Sequence, residues 1–202
     1  MKHPKRPTSP ERHIATVDPV LGRVIRKVGP PQIKLKRGAV HALAEIIVYQ
    51  QLSGKVARAI FKRIRVAAGV KRLSAASLGR LTDKQLRAAG VSPQKLKYLR
   101  DLTAKVLDGS VKLHGLGHLS DEKVVAELTT IKGIGRWSAE MYLMFVLGRP
   151  DVFSAGDNGI QTAIHKLYGV TQEEVDLESF SERWRPHRTV ACWYLWRSLA
   201  TE

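Results

Sequence analysis

The stretch Leu128-Thr-Thr-Ile-Lys-Gly-Ile-Gly-Arg-Trp-Ser-Ala139 limits the possible folds more than any other part of the chain. An amphipathic helix ends there, Gly133-Ile134-Gly135 turns the chain, and a second helix starts at Arg136. Two glycines around an aliphatic residue permit positive φ and leave backbone N–H groups bare at the start of the second helix. Ile134 between them is placed to pin the two helices together from inside. A helix start of this kind suits a phosphate, because unpaired donors and the positive end of the helix dipole converge there. The competing reading is an ordinary helical hairpin in an α-bundle.

The rest of the chain agrees with helices and offers no run of alternating strands with hairpin turns. Val40, Leu43, Ile46 and Ile47 recur at helical spacing, and Val56, Ile60 and Ile64 sit four apart beside Ala57, Phe61 and Ala68. Ser53 is placed to cap the second of these helices. Thr82 with Gln85 forms a capping box, and Leu81 with Leu86 a hydrophobic staple across it. Ser92-Pro93 opens a helix carrying Leu96, Leu99, Leu102 and Val106, closed at Asp108-Gly109. Ser120 starts another with Val124, Val125 and Leu128 inward, and further helices are expected from Arg136 to Leu147, Asp157 to Tyr168 and Pro186 to Leu199. The fold class is all-α.

Charge decides the class of partner. Lysine and arginine total 34 against 18 acidic residues, a formal charge of +16, which favours a polyanion, either nucleic acid or an anionic membrane surface. No acid occurs between Glu45 and Asp83, whereas Lys55, Arg58, Lys62, Arg63, Arg65, Lys71, Arg72 and Arg80 all do. Such a run is either a solvated face or a surface whose self-repulsion an external anion offsets. Hydrophobic residues make up 44% of the chain, enough for a core. The longest strongly apolar run, Leu143 to Leu147, is far short of the ~20 residues a membrane span needs. The N-terminus has no apolar stretch behind its charges, so no secretory signal is expected, and the location is expected to be cytoplasmic. A single cysteine, Cys192, excludes an intrachain disulfide and a four-cysteine metal cage. The seven histidines show no metal-ligand spacing.

These residues resemble the helix–hairpin–helix DNA glycosylase superfamily (HhH-GPD), in its DNA-3-methyladenine glycosylase II branch. The continuation agrees: Gly148-Arg-Pro150 is similar to the family's Gly/Pro loop, and Asp151-Val-Phe-Ser-Ala-Gly-Asp157 leads into a helix as the family's aspartate does. Tyr49-Gln-Gln-Leu-Ser53 and Trp184-Arg-Pro-His-Arg188 resemble the corresponding flanking stretches, so the likeness runs from Gly38 to Trp196. It implies Asp157 as the catalytic carboxylate. It implies a base pocket of Trp137, Met141, Phe153, Trp184 and His187. DNA contacts are implied at Gln51 and Leu52, which wedge the duplex, and at Lys132, Gly133, Ile134, Gly135 and Arg136. Carbonyls of Thr129, Ile131 and Ile134 are implied to hold a structural Na⁺ or K⁺, with no other cofactor required. Lys132 departs from a common proline, Gly156 from a frequent second acid, and Met141 and His187 from aromatics, which puts pocket shape and substrate range in doubt. Trp137 stands where bifunctional glycosylase/lyases carry a nucleophilic lysine.

The implied activity is monofunctional excision of alkylated purines from double-stranded DNA by a monomer, with no lyase step. Cleaving an N-glycosidic bond builds positive charge on the sugar, and a nearby carboxylate stabilises that charge or activates water. A purine alkylated at N3 or N7 is already cationic and leaves without a strong general acid, so one carboxylate suffices. Asp157 also suits a helix N-cap, and Trp137 also suits core packing. Trp184, Trp193, Tyr194 and Trp196 read as core, Trp184 nearest to a pocket role. The competing function is a non-catalytic helix–hairpin–helix DNA-binding protein. The domain reading is a flexible basic tail over residues 1–12, a lobe of 13–36 with 150–202, and a central lobe of 37–149 containing the hairpin.

Overall fold

The computed structural model describes residues 9–200. Twelve α-helices, two 3-10 turns and one π turn occur among them, and no strand. They divide into two compact units, one of the described residues up to Lys34 with those from Arg149 onward, the other Leu35–Gly148. None of the helices is long and apolar enough to cross a membrane.

Two helices open the described chain, α1 (Pro10–Val17) and α2 (Pro19–Val28). Residues 1–8 of the expected tail lie outside the described residues, but Pro10, Glu11 and Arg12 are the first turn of α1, not tail. Ser9-Pro10 and Asp18-Pro19 each put a cap-type residue ahead of a proline, whose fixed φ starts a helix. Ile14 and Leu21 anchor the pair, both fully buried.

The second unit is arranged round α3 (Ala39–Tyr49), which buries Ala42, Leu43, Ala44, Ile46, Ile47 and Val48. A helix apolar on nearly every side must be enclosed by neighbours. Those neighbours are α4 (Gly54–Ala67) and, beyond the short α5 (Ala75–Gly79) and α6 (Asp83–Ala88), α7 (Pro93–Leu107), together with a helix of the hairpin. The Thr82–Gln85 capping box forms in both directions, and Ser92 accepts the N–H of Lys95. Two expectations fail in α4. Ser53 stands at its N-cap, yet its hydroxyl makes no capping bond. Val56 is 47% exposed because α4 turns Ala57, Ile60, Phe61 and Ile64 inward. The unit closes with α8 (Asp121–Thr129), α9 (Arg136–Tyr142) and a π turn, Leu143–Leu147, which Gly148 ends at φ 69° by donating its N–H to the Leu143 carbonyl.

The chain then completes the first unit with α10 (Asn158–Tyr168), α11 (Leu177–Ser181) and α12 (Arg188–Ser198). Asp18, 2% exposed, is its polar hub. The carboxylate accepts the N–H of Leu21 at 2.9 Å, the Tyr168 hydroxyl at 2.7 Å and the Trp184 indole N–H at 2.8 Å. Burial, then the bond to Asp18, pushes the Tyr168 hydroxyl well above its ordinary pKa, so it stays protonated and keeps donating.

Removing that acceptor takes the partner from three donors, the Leu21 N–H, the Tyr168 hydroxyl and the Trp184 indole. Asp18→Ala is expected to destabilise the first unit by roughly 3 kcal/mol or more, measured by urea unfolding followed by tryptophan fluorescence, to which Trp184, Trp193 and Trp196 of that unit contribute.

Candidate functional site

The hairpin forms where the sequence places it, between α8 and α9. Its turn is closed by Ile131 N–H to Leu128 O at 3.1 Å and Ile134 N–H to Ile131 O at 3.0 Å. Ile131 and Ile134 are 1% and 3% exposed, so both pin the turn from inside. Gly133 has φ 80°, and any Cβ there would overlap the Tyr98 ring, so glycine is required twice over. Lys132 is tied by its backbone N–H to Asp101 Oδ2 at 2.8 Å, while its side chain is 75% exposed with the ammonium 4.0 Å from Asp101 Oδ1. Gly135 is the N-cap of α9 with no side-chain capping bond, and a Cβ at this position would meet nothing. The amides of that first turn are therefore approachable by a large anion. Arg136 adds a second exposed cation, steadied by Glu140 at 3.0 Å.

The carbonyls of Thr129, Ile131 and Ile134 belong to this turn. Ile131 O already accepts one N–H and keeps its second lone pair. Neutral carbonyl oxygens are hard donors, so the set fits a hard monovalent cation in chemistry. Among the described residues no group of histidine, cysteine or carboxylate side chains could hold a metal ion.

At the end of α3 the chain makes a tight turn. Gln51 has φ 55°, alone among the described non-glycine residues in being positive, and Leu52 is 38% exposed. Two residues that sequence reasoning missed hold this turn. Gln50 Nε2 donates to Gly133 O at 2.7 Å and to Ser138 Oγ at 3.2 Å. Lys95 Nζ donates to the carbonyls of Val48 at 2.8 Å and Gln50 at 2.6 Å. No local pattern could have revealed Lys95, which meets these carbonyls only through the packing of α7 on α3.

Trp137 and Met141 line one cavity of about 160 Å³ with Tyr49, Ile46 and Phe145. Its polar wall is the Lys36–Glu45 pair at 2.8 Å, with the Lys36 ammonium 5.9 Å from the centroid of Tyr49. A space of this size accepts an aromatic ring. Phe153, Trp184 and His187 belong to the other unit. Phe153 is 4% exposed and Trp184 fully buried, their rings 5.9 Å apart. Both lie in the core of that unit, and neither lines the cavity that Trp137 and Met141 line. His187 is half-buried at the head of α12, and burial first, His13 second, lowers its pKa, favouring the neutral ring.

The loop that carries Asp157 is fixed to α12. Thr189 Oγ1 donates to Arg149 O at 2.7 Å and accepts Val152 N–H at 3.1 Å. Arg188, 9% exposed, donates through Nε to Asp151 Oδ1 and through Nη2 to Asp151 O, both at 2.9 Å. Asp157 then caps α10, its Oδ1 accepting Ile160 N–H at 2.8 Å and the Trp196 indole N–H at 2.9 Å. Trp196, expected in the core, is half-buried and orients this carboxylate. The room for that bond comes from Gly159, where a Cβ would press on both Asp157 Oδ1 and the Trp196 ring.

Residues 44–186 match the family model described as HhH-GPD superfamily base excision DNA repair protein. The chain is 32% identical over 199 residues to DNA-3-methyladenine glycosylase 1 of Schizosaccharomyces pombe, covering 95% of this chain and 87% of that protein. A putative DNA-3-methyladenine glycosylase of Bacillus subtilis is 29% identical over 179 residues, 85% of this chain and 62% of its own length. Among solved structures, a Bacillus halodurans DNA-3-methyladenine glycosidase superposes with a TM-score of 0.82 at 36% identity, covering 100% of this chain and 94% of that one. A Schizosaccharomyces pombe 3-methyladenine DNA glycosylase in complex with abasic DNA gives 0.86 at 30% identity, covering 96% and 97%.

The two hairpin glycines should respond oppositely to a methyl group. Gly133→Ala is expected to lower the unfolding free energy by about 2 kcal/mol or more, through strain at positive φ and the clash with Tyr98. Gly135→Ala should leave the unfolding transition unchanged, as measured for both variants by thermal unfolding.

Proposed function

Because this chain belongs to the HhH-GPD superfamily of base excision DNA repair proteins, we propose that it is a monofunctional DNA N-glycosylase. Its substrates are alkylated purines of the 3-methyladenine and 7-methylguanine type, flipped out of double-stranded DNA and released as free bases. The observation that carries this reading is Asp157, a half-buried carboxylate aimed by Ile160 N–H and by Trp196 in a chain that also presents a bare hairpin turn. The names of the relatives support the substrate class.

In this reading the amides of Gly133 and Gly135, with Lys132 and Arg136, hold a phosphate of the duplex, while Ile134, its N–H closed on Ile131 O, shapes the turn. The carbonyls of Thr129, Ile131 and Ile134 would hold Na⁺ or K⁺, whose charge adds to that grip. Leu52, with Gln51, fills the space the base leaves, because extrusion otherwise costs unstacking energy that nothing offsets. The cationic base stacks on Trp137, worth about 0.5–2 kcal/mol. As the glycosidic bond breaks, its electron pair leaves with the base and Asp157 stabilises the positive sugar. Water then adds at the anomeric carbon, its proton passing to Asp157 or solvent, and an abasic site remains. Trp196 holds the carboxylate by one oxygen throughout.

The second reading, a DNA-binding protein without catalysis, draws on the same bonds, since Asp157 visibly caps α10. Asp157→Asn separates the two. An asparagine oxygen can keep both hydrogen bonds and caps about as well, so only the charge is lost. Release of free base from methylated DNA is expected to fall by roughly a hundredfold or more, with affinity for abasic duplex kept. A near wild-type rate would leave Asp157 a cap alone.

Strand cleavage is not expected. Elimination needs an amine that forms a Schiff base with the sugar, and the indole of Trp137 cannot do this. Borohydride treatment during turnover should trap no covalent adduct, and strands should break only after alkali; a trapped adduct would show that another amine reaches the sugar.

A further inference from the structure

The four residues that end α3 and follow it have separate surroundings. Tyr49 lines the aromatic cavity, Gln50 reaches the hairpin, Gln51 is strained, and Leu52 stands exposed. Holding them in register requires something outside the segment. We propose that Lys95 and Gln50 are positioning residues. They clamp this turn to the hairpin so that the phosphate grip, the cavity wall and the Leu52 wedge act as one rigid body. The inference rests on the DNA glycosylase reading above and adds how its wedge is aimed.

The geometry gives the reason. The carbonyl of Gln50 lies in the peptide plane immediately before Gln51, so the orientation of that plane sets the φ of Gln51. Lys95 grips this carbonyl at 2.6 Å, and that of Val48 at 2.8 Å. A non-glycine residue at positive φ costs roughly 1–3 kcal/mol and persists only where its surroundings over-determine it. Three further bonds do so: Leu52 N–H closes on Tyr49 O at 3.3 Å, and the Gln50 side chain is anchored at Gly133 O and Ser138 Oγ. Gly133 is the residue that Tyr98 already holds against α7. Lys95 and Tyr98, one turn apart on α7, thus secure the wedge turn and the hairpin from the same helix. An ammonium at the C-terminal end of α3 is also favoured by the helix dipole. Burial lowers the pKa of Lys95, as expected for a lysine drawn out of water to serve two carbonyls.

Without the clamp, Gln51 is free to relax to negative φ and Leu52 is re-aimed. The test uses the full chain and a duplex with one 7-methylguanine beside a fluorescent base that brightens on unstacking. In Lys95→Met and Gln50→Met the brightening is expected to be largely lost. Single-turnover excision should slow by roughly tenfold to a hundredfold, the penalty for displacing a positioned group by about an ångström. Affinity for undamaged duplex, and its dependence on salt, should stay at wild-type values because the phosphate contacts remain. Leu52→Ala should lose the brightening as well, and adding it to Lys95→Met should cost nothing further. The clamp is refuted if either Met variant unstacks and excises like the wild type. It is equally refuted if undamaged-duplex affinity falls in step with excision, which would show a purely structural role. Brightening that survives Leu52→Ala, or is absent in the wild type, would instead overturn the wedge reading and the inference with it.

Discussion

A buried carboxylate with three donors holds together the half of the molecule that carries Asp157. Asp18 sits in a segment that ends at Lys34, while Tyr168 and Trp184, two of its donors, lie beyond residue 149. More than a hundred residues intervene, so closing this unit has an entropic cost that local helix formation cannot offset. A charge taken out of water is tolerated only with its acceptor capacity filled, and that need gives the arrangement its specificity. Trp184 illustrates the consequence: its indole faces Asp18 and its ring packs on Phe153, so an aromatic that resembles a pocket residue in sequence becomes a strut.

The second unit depends on a different constraint, close backbone approach. Gly133 is needed because Tyr98 occupies the space a side chain would take, whereas at Gly135 the backbone is extended and a Cβ would meet nothing. These two glycines, one residue apart, meet opposite demands. The first makes the turn dense and immobile; the second keeps the start of α9 bare. The phosphate grip proposed for this turn would need both, since donors must be held rigidly and yet remain uncovered. The buried face of α3 supplies the rigid wall, and the chain that follows it carries an acid-free run of cations. Lys55, Arg58 and Lys62 stand exposed on α4, with no carboxylate paired to them.

Much of the architecture was legible because helices announce themselves locally. The Thr82–Gln85 box, Ser92 before Pro93 and Ser120 all cap as their spacing implies, since capping involves residues three positions apart. The same signals stand at Ser9-Pro10 and Asp18-Pro19, the first of them masked by a run of charge and proline. Val56 misled because helical spacing defines a stripe only to within one residue, and packing against α3 chose Ala57 instead. Ser53 occupies its cap position without bonding, in a turn already closed by Leu52 and Tyr49.

What the sequence by itself determined was therefore the all-α class, most helix ends, the hairpin and the family to which those residues belong. Each is encoded within a dozen residues, over which propensity, capping and glycine act. What only the tertiary structure decided was which side chains meet across long separations. Trp196 turns its N–H to Asp157, Lys95 reaches two carbonyls at the end of α3, and Phe153 and Trp184 go to the core. Such pairings depend on how helices pack, and packing is settled by the fit of whole faces, which no local spacing records.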